Sequence, residues 1–476
     1  MTHHETSALA AALKSALPDG AVLCDAAAVG PYAHDDAEWA DYATPAAVVL
    51  ATSVEDVVAT VRIAGEHAAP VVPRGAGTGL SGGANAMPGA VVLSLERMTR
   101  ILGIDTAERF AVVEAGVLND DLRRRVAADG LWYPPDPASQ AISTIGGNVA
   151  TNAGGLCCVK YGVTRDYVLG MTVVLADGTV ARLGRTTAKG VTGYDLTGLL
   201  VGSEGTLGII VDVTVKLRPL GGREDRAIVG WFPSLAAAGE AVAAVSAAGI
   251  VPAALELIDS TCLRAVADWQ GWTLPEGAAA LLLAKVDEPG GTGEALAQQV
   301  AGLFEAAGGT HVERAFAPDE VDRLFLARRL AYPALERLGP VLTEDVCVPR
   351  SAVPTMLARI EAIAAGADVV IANIAHAGDG NLHPLIIAPE GDDNAKARAK
   401  AAFDRIVDEC RALGGTVTGE HGVGLLKLPG AAAELDPAAL AMHRAIKDAL
   451  DPRGLLNPGK AFPAAPLPSG RRPSEG

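Results

Sequence analysis

Three observations predict an α+β fold. In the first 220 residues short β-branched runs, separated by glycine, proline and asparagine, outnumber helical patterns. An Asp-Gly hairpin signal joins two of these runs. From about residue 226, alanine-rich helical patterns alternate with apolar strands. A chain of 476 residues can bury more than one core, and "PLGGRED", residues 219–225, reads as the boundary between two domains.

Taken in order, residues 5–17 read as a short helix. Thr52-Ser-Val-Glu55 has the spacing of a capping box and opens a helix to about His67, with Val54, Val57, Val58 and Val61 as its buried stripe. Strands follow at 70–73, 90–95, 111–115, 171–176, 179–183 and 208–217, and Asp177-Gly178 turns the fourth into the fifth. Past the boundary, helices are expected at 234–248, 291–307, 319–330, 351–366 and 394–413. Strands are expected between them at 226–231, 253–258, 279–286, 368–375 and 384–388. Residues 463–476, rich in proline, serine and glycine, read as a disordered tail.

Composition excludes several classes. A net charge of −17 leaves no basic surface to displace counterions from a nucleic acid. No apolar run reaches the length of a membrane span, and the first residues lack the basic and apolar regions of a signal peptide, so a cytoplasmic location is expected. The six cysteines form no Cys-x-x-Cys pair, so neither an iron–sulfur cluster nor a disulfide framework is signalled. Electrons collected by this chain must leave to an acceptor outside it.

Gly77-x-Gly79-x-x-Gly82 follows an apolar run, as a dinucleotide fingerprint would. Residues 81–89, however, hold three glycines, an asparagine and a proline before the next strand, which leaves no room for the helix such a fingerprint opens. Either a mobile turn remains, or a glycine loop whose N–H groups approach an anion. Two further glycine blocks, at 143–155 and 202–208, raise the odds of one large ligand lying across all three.

In the second domain, "VVIANIAH" and "LHPLIIA" flank Asp379-Gly380, a type I′ turn signal. That turn predicts His376 directly opposite His383 on one face, with Cβ atoms about 5 Å apart. Glu420-His421, between glycines, adds a carboxylate and another imidazole. Two histidines and a carboxylate suit Zn²⁺, Mn²⁺ or Fe²⁺; hydrogen-bonded surface histidines are the other reading. Arg328 and Arg329 read as the end of the 319–330 helix, either solvated there or available to a carboxylate.

Six stretches occur in a fixed order: "PVVPRGAGTGLSGGA", "PDPASQAISTIGGNVATNAGG", "GYDLTGLLVGSEGTLGII", "IAHAGDGNLHPLI", "GEHGVGLLK" and "LLNPGK". Over residues 40 to 462 the chain resembles the vanillyl-alcohol-oxidase type of flavoprotein. Within that type it is similar to the branch of glycolate oxidase subunits, D-lactate dehydrogenases and D-2-hydroxyglutarate dehydrogenases. The resemblance implies a two-subdomain PCMH-type FAD-binding domain over residues 1–220, with its core at about 42–220. It further implies an α/β substrate cap with an antiparallel sheet over 221–444, and a segment, 445–462, that returns to the FAD domain.

The resemblance puts FAD on Pro73, Arg74, Gly75, Ala76, Gly77, Thr78, Gly79 and Ser81, then on Pro135, Asp136, Ser139, Ser143, Thr144, Gly146, Gly147, Asn148, Thr151, Ala153 and Gly154. Glu204, Gly205, Ile210 and Asn457 complete the set. Family members with a covalent flavin often carry histidine where Thr78 stands, so noncovalent FAD is expected. The resemblance also implies His376, His383 and Glu420 as metal ligands, His421 as the base, and Arg328 with Tyr332 at the substrate carboxylate. The hydroxyglutarate branch tends to carry lysine and asparagine where this chain has Thr343 and Leu385, which favours a small substrate, D-lactate or glycolate. The implied acceptor is a quinone, an electron-transfer flavoprotein or an iron–sulfur subunit. Oxygen use, a flavin-holding subunit without catalysis, a homodimer and a peripheral complex at the inner face of the membrane stay open.

Overall fold

The computed structural model describes residues 3–37, 39–389 and 391–463; apart from Pro463, the expected tail lies outside them. Three main sheets organise the chain. In the first, Val22–Leu23, Ala47–Leu50, Val91–Ser94 and Val71–Arg74 lie in that order, and the last three run parallel. The second is an antiparallel sheet in the order Ile101–Asp105, Phe110–Glu114, Ile209–Lys216, Val168–Val174 and Val180–Gly184. Residues 75–89 join two parallel strands and contain no helix. The long glycine loop is thus present, and the dinucleotide fingerprint is not.

One helix start differs from its expectation. Val54–Glu66 is capped by Ser53, whose hydroxyl accepts from the Asp56 N–H, while the Asp56 carboxylate accepts from the Thr52 N–H and hydroxyl. The cap sits one residue later than expected and the returning carboxylate reaches Thr52 rather than the capping Ser53; Val54 and Val58 are only half-buried while Val57 and Val61 are fully buried.

The third sheet holds eight strands, all antiparallel. Its order is Thr310–Ala315, Arg226–Phe232, Ala280–Val286, Ala254–Asp259, Val370–His376, Asn381–Ile387 and Val341–Thr343, with Val346–Cys347 also paired to Asn381–Ile387. Alternation assigns its two faces. Leu255, Leu257, Ala375, Leu382 and Ile386 pack with buried residues of Leu235–Ala247, Gly290–Ala306, Val353–Ala367 and Asp393–Ala412. Ile258, Ile374 and Leu385 face the other way, toward Ser260–Gln270 and Leu326–Glu336. Glu256, His376 and His383 lie in step with this second set. The C-terminal segment returns to the first sheet, where the Val71 N–H donates to Leu455 and the Asn457 N–H donates to Val71.

Two expectations in this half are corrected. The 319–330 helix is two helices, Pro318–Leu324 and Leu326–Glu336, broken at Phe325. Arg328 and Arg329 therefore sit near a helix start, not at an end. The turn after His376 spans 377–380, not 379–380: both the Asp379 and Gly380 N–H groups donate to the His376 carbonyl. Asn381, not His383, is the partner of His376, and His383 pairs with Ile374.

Candidate active site

A slip of two residues leaves every side chain on its original face, because the strand period is two. The His376 and His383 rings accordingly meet as a diagonal pair, edge to face, with centroids 5.0 Å apart. Both are buried. Glu420 comes from the loop after Asp393–Ala412, and one of its oxygens, Oε1, is 3.2 Å from His376 Nε2 and 3.3 Å from His383 Nε2. One ligand atom from each of these three residues lies within 4.8 Å of the others. His421 stands outside this triad, stacked on His383 at 5.0 Å.

The electrostatics are sharply divided. Burial drives the His421 imidazolium down to about 4, overcoming the pull of Asp345 and Glu420, so its ring is neutral near pH 7. Burial also works against the charged form of His376, but the carboxylates of Glu256 and Glu420 raise its pKa well above the ordinary value. Glu256, fully buried, accepts from Arg328 Nε at 2.7 Å and lies 2.8 Å from His376 Nδ1. Arg328 thus reaches the site through Glu256. Tyr332 is one helical turn further on, 3.5 Å from the Thr343 hydroxyl, and Thr343 stands directly opposite Leu385.

The expected FAD residues form a groove for the most part. Pro73, Gly75, Ala76, Gly77, Thr78 and Gly79 line it together with Ser139, Ser143, Thr144, Gly147, Asn148, Thr151, Ala153, Gly154 and Glu204. A side chamber adds Arg74, Gly146, Gly205 and Ile210. Glu420 and His421 line the same groove from the third-sheet half. A Cβ on Gly154 would overlap the Glu420 carboxylate.

Four expected residues stand behind the groove rather than in its wall. The Ser81 hydroxyl contacts the His421 and Gly422 carbonyls at 2.9 and 2.8 Å. The Pro135 carbonyl accepts from Asn119 and Arg123, and Asp136 accepts from the Cys157 N–H. The Asn457 amide donates to the Gly83 and Glu204 carbonyls at 2.9 and 2.8 Å. Arg74 spends its guanidinium on the His34 and Pro31 carbonyls. Glu204, besides lining the groove, accepts from the Val423 and Gly424 N–H groups at 2.7 and 2.8 Å. These contacts fasten the loop carrying Glu420 and His421 onto the first half of the chain.

Two carboxylates at the centre, Glu256 and Asp345, were not foreseen. Asp345 Oδ2 accepts from the Thr418 hydroxyl at 2.8 Å and from the N–H groups of Gly419, Glu420 and His421 at 3.0, 3.0 and 2.8 Å. Their signal in the sequence is an acid set among apolar strand residues, "ALELID" and "VLTEDVCV", because an ionised group is buried only where partners await it.

Known proteins match this chain along most of its length. Residues 45–184 match an FAD binding domain, and residues 223–461 match the C-terminal domain of FAD linked oxidases. Glycolate oxidase subunit GlcD of Bacillus subtilis (strain 168) is 42% identical over 419 residues, covering 88% of this chain and 89% of that protein. A D-lactate dehydrogenase of Anaerostipes hadrus is 36% identical over 443 residues, covering 90% and 92%. Among solved structures, p-cresol methylhydroxylase with substrate bound superposes with a TM-score of 0.79 at 22% identity, covering 97% of both chains. Among the described residues no helix is long and apolar enough to cross a membrane. On these matches, the chain belongs to the FAD-linked oxidase family and is an oxidoreductase built from an FAD-binding domain and the C-terminal domain of that family.

Proposed function

We propose that this protein is a dehydrogenase of a small D-2-hydroxy acid, D-lactate or glycolate, with noncovalent FAD in the groove and a divalent metal on His376, His383 and Glu420. The observation that carries the reading is that Glu420 and His421 line the same groove as the glycine blocks, so a cation on the triad and a flavin in the groove would share one substrate. The FAD fits the donors present: a wall of glycine backbone, and a buried Ser143 hydroxyl with no partner in the protein. Two imidazole nitrogens and a carboxylate oxygen fit Zn²⁺, Mn²⁺ or Fe²⁺. When bound, FAD supplies the hydride acceptor and the cation supplies Lewis acidity to the substrate oxygens.

The protein's own groups do the rest. Neutral His421 takes the hydroxyl proton, since burial keeps its ring unprotonated near pH 7. Arg328, with Nε held by Glu256, offers its terminal amino groups to the substrate carboxylate, with Tyr332 one helical turn along as the second residue toward it. Thr343 and Leu385, apposed across two strands, offer no cation to a distal carboxylate, which supports a short substrate over hydroxyglutarate. Six free cysteines suit a reducing cytoplasm. The relatives named as subunits support an external acceptor, an iron–sulfur subunit, an electron-transfer flavoprotein or a quinone, reached from the cytoplasm or from the inner face of the membrane.

The test is anaerobic bleaching of bound flavin by a panel of D- and L-2-hydroxy acids, before and after chelation. D-Lactate or glycolate is expected to bleach it, and a chelator to suppress the reaction. A flavin that no 2-hydroxy acid reduces would end the substrate reading, and bleaching indifferent to chelation would remove the metal.

A further inference from the structure

His376, His383 and His421 share one orientation. Each turns Nε2 toward Glu420 Oε1, at 3.2, 3.3 and 3.8 Å, and each turns Nδ1 toward a buried carboxylate. Behind His376 this is Glu256, whose oxygens are 2.8 and 3.0 Å from Nδ1. Asp345 stands behind both of the others, with Oδ1 3.6 Å from His383 Nδ1 and Oδ2 4.0 Å from His421 Nδ1.

Asp345 is more than the anchor of a loop. Four donors from residues 418–421 all converge on Oδ2, so the side chain's part in holding the loop falls on that oxygen. Oδ1 is buried without a hydrogen-bond partner, and so are His383 Nδ1 and His421 Nδ1. Leaving three such atoms orphaned side by side is costly, and the cost has a chemical remedy. A neutral imidazole carries one N–H, and an acceptor at one nitrogen settles that the lone pair is on the other. An ionised carboxylate can only accept. Glu420 Oε1 faces Nε2 of the same two rings at 3.3 and 3.8 Å; once a cation on the triad takes that carboxylate, Asp345 is the acceptor that remains and favours Nδ1–H in both rings, across separations that a small ring rotation would close.

We infer that Asp345 is the positioning residue for both imidazoles, setting Nδ1–H at His383 and His421 and so presenting the Nε2 lone pair of one to the metal and of the other to the substrate proton. The inference rests on reading His376, His383 and Glu420 as a metal triad. Glu256 stands behind His376 in the same way from the opposite side, 2.8 and 3.0 Å from its Nδ1.

The test uses the full chain with FAD bound and zinc added. In protein labelled with ¹⁵N-histidine, long-range ¹H–¹⁵N spectra are expected to show Nδ1–H tautomers at His383 and His421. Asp345→Asn keeps a carbonyl oxygen for the loop donors but places an NH₂ where His383 Nδ1 needs an acceptor. His383 should move toward Nε2–H while His421, nearest the retained oxygen, keeps its tautomer, and zinc affinity, measured by competition with a chromophoric chelator, should fall about 10–100-fold with flavin retained. Nε2–H tautomers in the wild type overturn the inference even if the variant fails to fold, as does a folded variant with unchanged tautomers and zinc affinity. A wild type that binds no zinc but carries Nδ1–H at both rings would sink the metal reading alone.

Discussion

The glycine-lined groove and the triad beside it are made of opposite materials. Along residues 75–79 and 143–154 the wall is glycine, alanine and short hydroxyl side chains, and it gains its shape from atoms that are missing. At the third sheet the surface is Glu256, His376 and His383 on strands, joined by Asp345, Glu420 and His421 from loops. Its shape comes from side chains, of which Glu256, Asp345, His376 and His383 are buried and Glu420 and His421 half-buried. A backbone-lined groove is damaged by adding an atom, whereas a cluster of donors is damaged by removing one. The two respond to different substitutions even though Gly154 and Glu420 touch.

That contrast can be broken in three ways. The largest effect is expected from His383→Ala, which deletes a donor from the triad. Turnover of D-lactate or glycolate should fall about 10³-fold, while the visible spectrum of bound flavin stays as in the wild type. Equal loss of flavin would show that the two regions are not independent. A smaller effect is expected from Gly77→Ala. Gly77 has φ +82, and a Cβ there would overlap the Arg74 guanidinium. Left-handed strain of about 1–2 kcal/mol corresponds to roughly 5–30-fold weaker FAD binding by fluorescence titration, with zinc affinity unaltered.

The smallest effect concerns the pH dependence of stability, from a buried charge pair behind the Glu420 loop. Glu344 lies 3.0 Å from Lys427, both buried, and burial pushes its carboxyl up to about 7 despite the lysine. Between the ordinary value of 4.5 and 7 the folded protein binds more protons than the unfolded chain, so this group's contribution to stability falls as pH rises through that window. Glu344→Gln should flatten the slope by up to one proton in urea unfolding at pH 5 and 7. An unchanged slope would mean that Glu344 titrates as it does in water.

Expectation and structure part company at particular residues for physical reasons. The 75–89 loop was legible because glycine and proline forbid a helix locally, whatever lies around them. The cap of Val54–Glu66 came out one residue late because Thr52 and Ser53 both suit the position, and the reach of the Asp56 carboxylate decides between them. The His376 strand was legible in its facing but not in its register: a four-residue turn replaced the two-residue one, in which the Gly378 N–H donates to Leu255 on a neighbouring strand. The sequence marks Arg328, but its partner Glu256 lies 72 residues away and nothing local connects them.

The chain by itself determined which stretches could approach an anion closely and which histidines shared a face, because φ freedom and strand alternation act over a few neighbouring residues. Only the tertiary structure decided that the Glu420 loop closes on those histidines and that Asp345 stands behind two of them. Those meetings join residues separated by dozens of positions, and they depend on how sheets and loops pack, which no local pattern encodes.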